Sequence, residues 1–410
     1  MSKTIIEKII SRASGKDAKV GERVWVKLDL VAMRDFGGPN VVLDFRKHFP
    51  QRHVYDSKKV AITFDLHIPP RNEKVAKNQQ ILRGFAAEEG VHLFDINTGI
   101  GQHILLEHGL IKPGSVVVGT DSHMNLLGAV GSFATGVGTT DIVSGLALGK
   151  LWFRVPPTIK IILEGRPQNG VLPKDVILYL LKFFKTDGLN YLAVEFFGDY
   201  VESLPLSGRI TLASMITEMS GKIGFIATDM RIKKELSFTE DISPDPDATY
   251  MKEYRFDISK IEPLIALPHS PDNVVAVSEV EGTQIDEVFM GSCTNGREDD
   301  FRMARNIIKD REVKVRTIAV PATHSVMINL LKEGIITDFA YAGIVIPNPS
   351  CALCTTGHPG ILAPGEKLLS TSNRNYVGKI GKGGLIHLVS PLTAAASAVE
   401  GKITDPRRFL

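Results

Sequence analysis

Three cysteines are all this chain has: Cys293 in "GSCTNG", and Cys351 and Cys354 in "SCALC". A C-x-x-C pair puts two sulfurs on one tight turn, where both reach one metal centre. With Cys293 and a histidine, the set could close a four-ligand structural zinc site. Used alone, three thiolates could hold an iron–sulfur cluster and leave one iron without a protein ligand. Such an iron is a Lewis acid able to hold a hydroxyl and a carboxylate. Unrelated buried thiols, packing as small hydrophobes, are the third possibility. Spacing alone leaves all three open. Gly291, Asn295, Gly296 and Gly357 flank the thiols. They argue for loops rather than helix interior, and irregular backbone can aim N–H groups at cluster sulfides.

The elements that must position these residues are legible as alternation. Short β-branched runs recur at 116–120, 158–165, 274–280, 315–322 and 343–347, with amphipathic segments such as 174–184 and 299–310 between them. Alternating strands and helices predict α/β layers with mostly parallel sheets. The polar, Pro-containing stretch 240–257 reads as a linker or surface excursion, and a second boundary is expected near "FRVPPT" at 153–158. The expected organisation is three αβα domains, 1–157, 158–265 and 266–410.

Bulk composition narrows the class. The chain has 410 residues, 43% hydrophobic and 23% charged, with a net charge of +2. That length supports several domains with sizeable cores. No run of about 18 apolar residues predicts a membrane span, and the N-terminus lacks the pattern of a secretory signal. An odd, small cysteine count argues for a reducing compartment, here the cytoplasm. The charge balance shows no basic block, so no nucleic-acid partner is expected.

Several motifs then occur in one order: "GTDSHMN" at 119–125, "GAVGSFATGVGTTD" at 128–141, "GSCTNGREDD" at 291–300, "CALC" at 351–354, "SNRNYVGK" at 372–379 and "SPLTAAASAVEGKITDP" at 390–406. With these, nearly the whole chain resembles the large, catalytic subunits of the aconitase superfamily. The nearest types are 3-isopropylmalate dehydratase and homoaconitase. The resemblance implies three domains around a central iron–sulfur site, and a 4Fe-4S cluster on Cys293, Cys351 and Cys354 with one open iron. It implies that Asp121, Ser122 and His123 line the cluster cavity. Physically, a carboxylate beside an imidazole sets its tautomer and holds it charged near substrate carboxylates. Taken alone, the same residues read as a turn-capping Asp and a surface histidine. Glu218 matches the glutamate that handles the departing hydroxyl; alone it reads as a helix-surface acid. Arg374 matches an arginine near substrate, and a guanidinium grips a carboxylate in bidentate fashion. Alone it reads as a loop arginine paired with a surface acid.

The chain departs from the family pattern at defined places. After Asp65, Leu66 stands where the family has histidine, and His67 follows one residue later. In a strand that step would turn the ring to the opposite face. Gln102–His103 exchanges the family's His-Gln order, Ser214 stands where Asn is usual, and Lys379 where Arg is usual. Asp65, His67 and His103 are carried as catalytic candidates, and Ser122, Arg374 and Lys379 as substrate-binding ones. The family's mobile domain, with its Ser-Ser-Arg signature, has no counterpart here. The resemblance therefore implies a separate small subunit in a heterodimer or heterotetramer. The expected activity is a hydro-lyase acting on a substituted malate such as isopropylmalate. Homoaconitase chemistry on homocitrate is the alternative. A cluster-bearing paralogue acting as an iron or redox sensor is a further one.

Overall fold

The apolar β-branched runs at 116–120 and 158–165 become inner strands of two sheets, and those at 274–280 and 315–322 supply the edge strands of a third. The computed structural model describes residues 2–354 and 360–410, so Gly357 lies outside the described residues. Two compact units divide the chain. The first comprises Met1–Ile96, Gly101–Leu163 and Leu189–Phe256; the second comprises Asn97–Ile100, Glu164–Gly188 and Asp257–Leu410.

The first unit holds a five-stranded sheet in the order His92–Phe94, Val60–Thr63, Leu30–Arg34, Val116–Gly119, Phe133–Gly136, with every neighbouring pair parallel. "VAIT" and "VVVG" are buried at every position. Strands apolar on both faces belong in a sheet covered by helices on both sides. Phe45 of helix Gly38–His48 meets Phe85 of helix Glu73–Glu89 edge-on at 5.9 Å in that cover. A four-stranded sheet in the same unit runs Ile223–Ile226, Ala193–Phe197, Thr158–Glu164, Lys252–Asp257. Its last strand corrects the expectation of a linker through 257: only 240–251 lacks regular structure, and the alternating end of the segment pairs as an edge strand.

A two-stranded antiparallel ribbon completes the unit. Arg23–Lys27 pairs with Lys150–Arg154, and Trp25 lies opposite Trp152. Period-2 alternation buries Val24, Val26, Leu151 and Phe153 and turns both indoles outward, 54% and 56% exposed. Lys150 covers the Trp25 ring at 5.4 Å, and Arg23 covers Trp152 at 5.9 Å.

The second unit holds a six-stranded sheet in the order Val274–Ala276, Leu264–Ala266, Leu385–Val389, Lys367–Ser370, Glu287–Met290, Arg316–Ala319. The four strands from Leu385–Val389 onward are parallel, and Leu264–Ala266 runs antiparallel to both neighbours. Two expected strands are shorter than read. The run 274–280 is strand only to Ala276 and then turns into helix Val277–Val280, whose Glu279 side chain caps the Ala276 N–H. The run 343–347 forms only one bridge, Ile318 to Val345, between Gly343 and Pro347. The expected helices are present as Pro173–Phe184 and Glu298–Ile308.

Candidate active site

Three neighbouring parallel strands of the first unit deliver three charged residues at their C-terminal ends, the edge where open α/β sheets bind ligands. Arg34 closes the central strand. Asp65 and Asp121 follow the strands on either side. Arg34 Nε donates to Asp65 Oδ1 at 2.8 Å, and Nη2 lies 2.7 Å from the same oxygen. Arg34 Nη1 pairs with Asp121 Oδ2. The second Asp65 oxygen accepts the Gly101 N–H at 2.9 Å. One guanidinium thus serves two buried carboxylates. Burial lifts Asp65 above the usual carboxylate range against the opposing pull of Arg34, and repulsion from Asp35 and Asp121 adds to the rise. Burial pushes Asp121 the same way, but Arg34, His123 and the His123 backbone N–H outweigh it and hold it below the usual range. Two similar acids with oppositely displaced proton affinities form an arrangement suited to acid–base work.

Asp121 also shapes the turn after it. Its Oδ1 accepts the His123 N–H at 2.7 Å and caps the 3-10 segment Ser122–Val130. His123 is buried, and its Nε2 is 2.8 Å from Glu218 Oε1. On its other side, Nδ1 lies 3.4 Å from Ser122 Oγ and 3.8 Å from Asp121 Oδ1. Glu218 arrives from Ile216–Met219, the 3-10 continuation of helix Leu206–Met215. Asn125 ties the two segments together, donating from Nδ2 to the carbonyls of Ala213 at 3.0 Å and Ser214 at 3.3 Å. Asp121, His123 and Glu218 form one chain of polar contacts.

The displaced histidines do not join it. Strand Val60–Thr63 ends before them, so the two-face argument for His67 does not apply. Instead the Asp35 carboxylate gathers three successive N–H groups, of Asp65 (3.3 Å), Leu66 (3.1 Å) and His67 (3.0 Å). The His67 ring is buried, 6.2 Å from that of Phe36. Helix Gly101–Glu107 turns Gln102, not His103, into the pocket lined by Arg34, Asp65 and Asp121, and His103 is fully buried.

In the second unit the adjacent parallel strands Glu287–Met290 and Lys367–Ser370 end in the loops that carry Cys293 and Arg374. Thr371 Oγ1 joins the loops, accepting the Gly291 N–H at 2.9 Å and donating to the Gly291 carbonyl at 3.0 Å. Gly291 has φ of 145°, and a Cβ there would lie 2.6 Å from the Val320 carbonyl oxygen, so only glycine allows this approach. Asn373 donates from Nδ2 to Cys293 Sγ at 3.4 Å, and its Oδ1 accepts from the Thr294 hydroxyl. Cys351 and Cys354 sit on one turn, with Cys354 N–H donating to the Cys351 carbonyl at 3.1 Å. Lys379 is buried; its ammonium donates to the Arg374 carbonyl at 2.7 Å and lies 3.4 Å from Ser372 Oγ, so it holds the loop that presents Arg374. Lys174, fully buried, donates to the carbonyls of Thr371 (3.0 Å) and Ser372 (2.7 Å). Burial pulls its affinity for a proton down to a pKa of about 7, against the opposing field of Cys293 and Cys354.

Among the described residues, no three His, Cys, Asp or Glu side chains converge to hold a single metal ion. A cubane spreads its thiolates over separate irons and asks for buried sulfur with hydrogen-bond donors and positive charge around it. Cys293 and Cys351, each 4% exposed, the Asn373 amide and the two buried lysines fit that requirement. Sequence reasoning missed Arg34, Gln102, Lys174 and Asn373. A lone cation at a strand end or a helix start looks like a surface residue, and the only local signal was an acid directly after it, Asp35 and Asp175.

Comparison with known proteins extends over the full length. The chain matches the aconitase family (aconitate hydratase) over residues 7–282 and 278–401. It is 43% identical over 419 residues to 3-isopropylmalate dehydratase large subunit 1 of Methanopyrus kandleri, and 42% identical to that of Archaeoglobus fulgidus, with 100% of each chain covered. It is 41% identical over 385 residues to a probable methanogen homoaconitase large subunit of Methanosarcina mazei, covering 92% of this chain and 98% of the relative. The crystal structure of Thermococcus kodakaraensis aconitase X, holo-form, shares the fold with a TM-score of 0.53 at 10% identity, over 86% of this chain and 84% of that one. Motif order, sheet architecture and full-length similarity agree: the chain belongs to the aconitase family.

Proposed function

We propose that this chain is the large subunit of a cytoplasmic hydro-lyase that dehydrates and rehydrates a substituted malate, isopropylmalate being the first candidate. The observation that carries the reading is the Asp121–His123–Glu218 chain, with the 2.8 Å contact between His123 and Glu218. Cys293, Cys351 and Cys354 would hold a 4Fe-4S cluster. When bound, the cluster supplies a Lewis-acidic iron for the hydroxyl that leaves. The protein supplies the proton handling. Glu218 and Asp121 flank the His123 ring from its two nitrogens, so the imidazole is held in orientation and stabilised when it carries charge. Arg374, on the loop stapled by Lys379 and Lys174, supplies a bidentate donor for a substrate carboxylate. A small subunit with the Ser-Ser-Arg segment supplies the base for the carbon-bound proton.

The Methanosarcina mazei relative favours a second reading, homoaconitase chemistry on homocitrate. Anaerobic co-expression of the chain with a small subunit, followed by hydration assays on alkylmaleates and on homoaconitate, separates the two. Turnover of alkylmaleates alone supports the first reading, and turnover of homoaconitate alone the second. Full turnover by the purified 410-residue chain without a partner would overturn the subunit assignment.

A further inference from the structure

The segment that carries His123 has a second face. Thr120, Ser122 and Asn125 line an open pocket of about 450 Å³, together with the loop Gly136–Gly138 and with Thr217, Ser220 and Lys222. All of these lie in the first unit.

Two kinds of unmet demand face this pocket. The first is for an anion. The Lys222 ammonium makes no hydrogen bond or ion pair with a described residue; the rings of Phe153 and Tyr191 flank it at 5.8 Å and 5.7 Å. Helix Thr139–Leu148, 10 residues long, starts at the pocket with Gly138 as its N-cap, and no side chain caps its first N–H groups. An uncapped helix start beside an ammonium is a ready oxyanion site. Asp141, the acid of that first turn, is exposed; its Oδ2 lies 3.7 Å from where a Gly138 Cβ would sit and its charge favours the Lys222 ammonium, but its carboxylate makes no hydrogen bond to either. The second demand is for a donor. Asn125 is 1% exposed, and its Nδ2 is spent on the Ala213 and Ser214 carbonyls. Those two acceptors fix which way the amide faces. Its Oδ1 is therefore a buried acceptor, and it has no partner. Such an atom costs stability unless a ligand answers it. An anion alone would satisfy Lys222 and the helix and leave Asn125 unanswered.

We propose that this pocket binds a small hydroxylated oxyanion, its charged group on Lys222 and the helix start at Thr139, its hydroxyl donating to Asn125 Oδ1. The charged group is a carboxylate or a phosphate ester; both present the same oxygens to these donors. The pocket is defined without reference to the cysteines, and its test needs neither cluster nor partner; because it shares Ser122 with the substrate-binding candidates and D-malate belongs to the proposed substrate class, the Lys222 variants are what assign binding to this pocket rather than to the hydro-lyase site.

The test is calorimetric titration of the purified full-length chain. D-malate and glycerol 3-phosphate are the hydroxylated probes; succinate and inorganic phosphate are their counterparts without the carbon-borne hydroxyl. Saturable binding of at least one hydroxylated probe is expected, at least about tenfold tighter than its counterpart, because a site built for a hydroxyl rejects the analogue lacking it. The tighter of the two identifies the source. Lys222→Met should weaken that probe by about tenfold or more, as loss of a charge-assisted contact does. Lys222→Arg should retain binding within a few-fold, which separates loss of charge from misfolding. Equal binding with and without the hydroxyl, undiminished binding by Lys222→Met, or no saturable binding at millimolar probe would each overturn the proposal.

Discussion

Arg34 is shared by two carboxylates, and the sharing divides their behaviour: Asp121 is held ionised while Asp65 keeps a proton more readily. The same residue-scale logic ranks the histidines. His123 touches Glu218 and is flanked by Asp121, whereas neither His67 nor His103 is among the residues lining the pocket of Arg34, Asp65 and Asp121. Assayed with the small subunit present, His123→Ala should lose about 10²-fold or more in turnover, the usual scale for an acid–base group. His67→Ala and His103→Ala should stay within a few-fold of wild type. A loss as large as that of His123→Ala in either would place that ring in the chemistry. Glu195 gives a separate, thermodynamic test. It is buried, accepting the Ile5 N–H at 2.6 Å and the Tyr250 hydroxyl at 2.7 Å, and burial raises its pKa to about 7 against the pull of those donors. The folded state therefore binds a proton more tightly than the unfolded chain. Stability from this group is fully present below about pH 4.5 and is lost as pH rises through 7. Denaturant unfolding of Glu195→Gln should lack that loss and gain on the order of 1–3 kcal/mol relative to wild type at pH 8. A pH profile unchanged by the substitution would show that folding does not raise the Glu195 pKa.

At the scale of elements, the candidate residues of each unit sit at the C-terminal ends of adjacent parallel strands, on loops of a few residues. Thr371 is the zipper of the second unit. Thr371→Val keeps the shape but leaves the Gly291 N–H and carbonyl without their partner. It should cost about 1–3 kcal/mol in unfolding free energy. It should also lower iron retention after anaerobic purification, since Cys293 is two residues from Gly291. Retention equal to wild type would uncouple the zipper from the cysteine loop. Strands such as "VVVG" and "TIKIILE" were legible because β-branched and apolar residues dominate them and turn residues bound them. The run 343–347 has the same composition and pairs only at Val345, because pairing depends on what lies alongside and not on the run itself. The cysteines stood out by type, but their spacing left zinc, cluster and inert thiols open, and the cluster reading came from the resemblance. Arg34, Lys174 and Lys222 were not legible: each is a single cation at an element boundary. Its role appears only when three strand ends, two carbonyls or a helix start are brought to it. Likewise, the exchange of His and Gln at 102–103 was visible, but which of the two faces the pocket is decided by the rotation of a seven-residue helix.

At the scale of the molecule, the 4Fe-4S cluster proposed for the three cysteines, which lie in one unit with no fourth in the chain, gives a stoichiometry that can be measured. Anaerobically purified protein should contain about four iron and four acid-labile sulfide per chain, and air should release iron first, since one iron lacks a thiolate. Stoichiometric zinc without sulfide would replace the cluster with a structural ion.

The ribbon of Arg23–Lys27 and Lys150–Arg154 carries both tryptophans of the chain, each more than half exposed and each under a cation. The protein's intrinsic fluorescence is consequently surface light. Its emission should be red-shifted and open to collisional quenchers in the folded state, with iodide, drawn by Arg23 and Lys150, quenching more than neutral acrylamide predicts. Neither indole belongs to the second unit, so melting of the cysteine-bearing unit is dark in this channel. A tryptophan unfolding curve reports the ribbon and the unit that bears it, while visible absorption of a bound cluster would report the other.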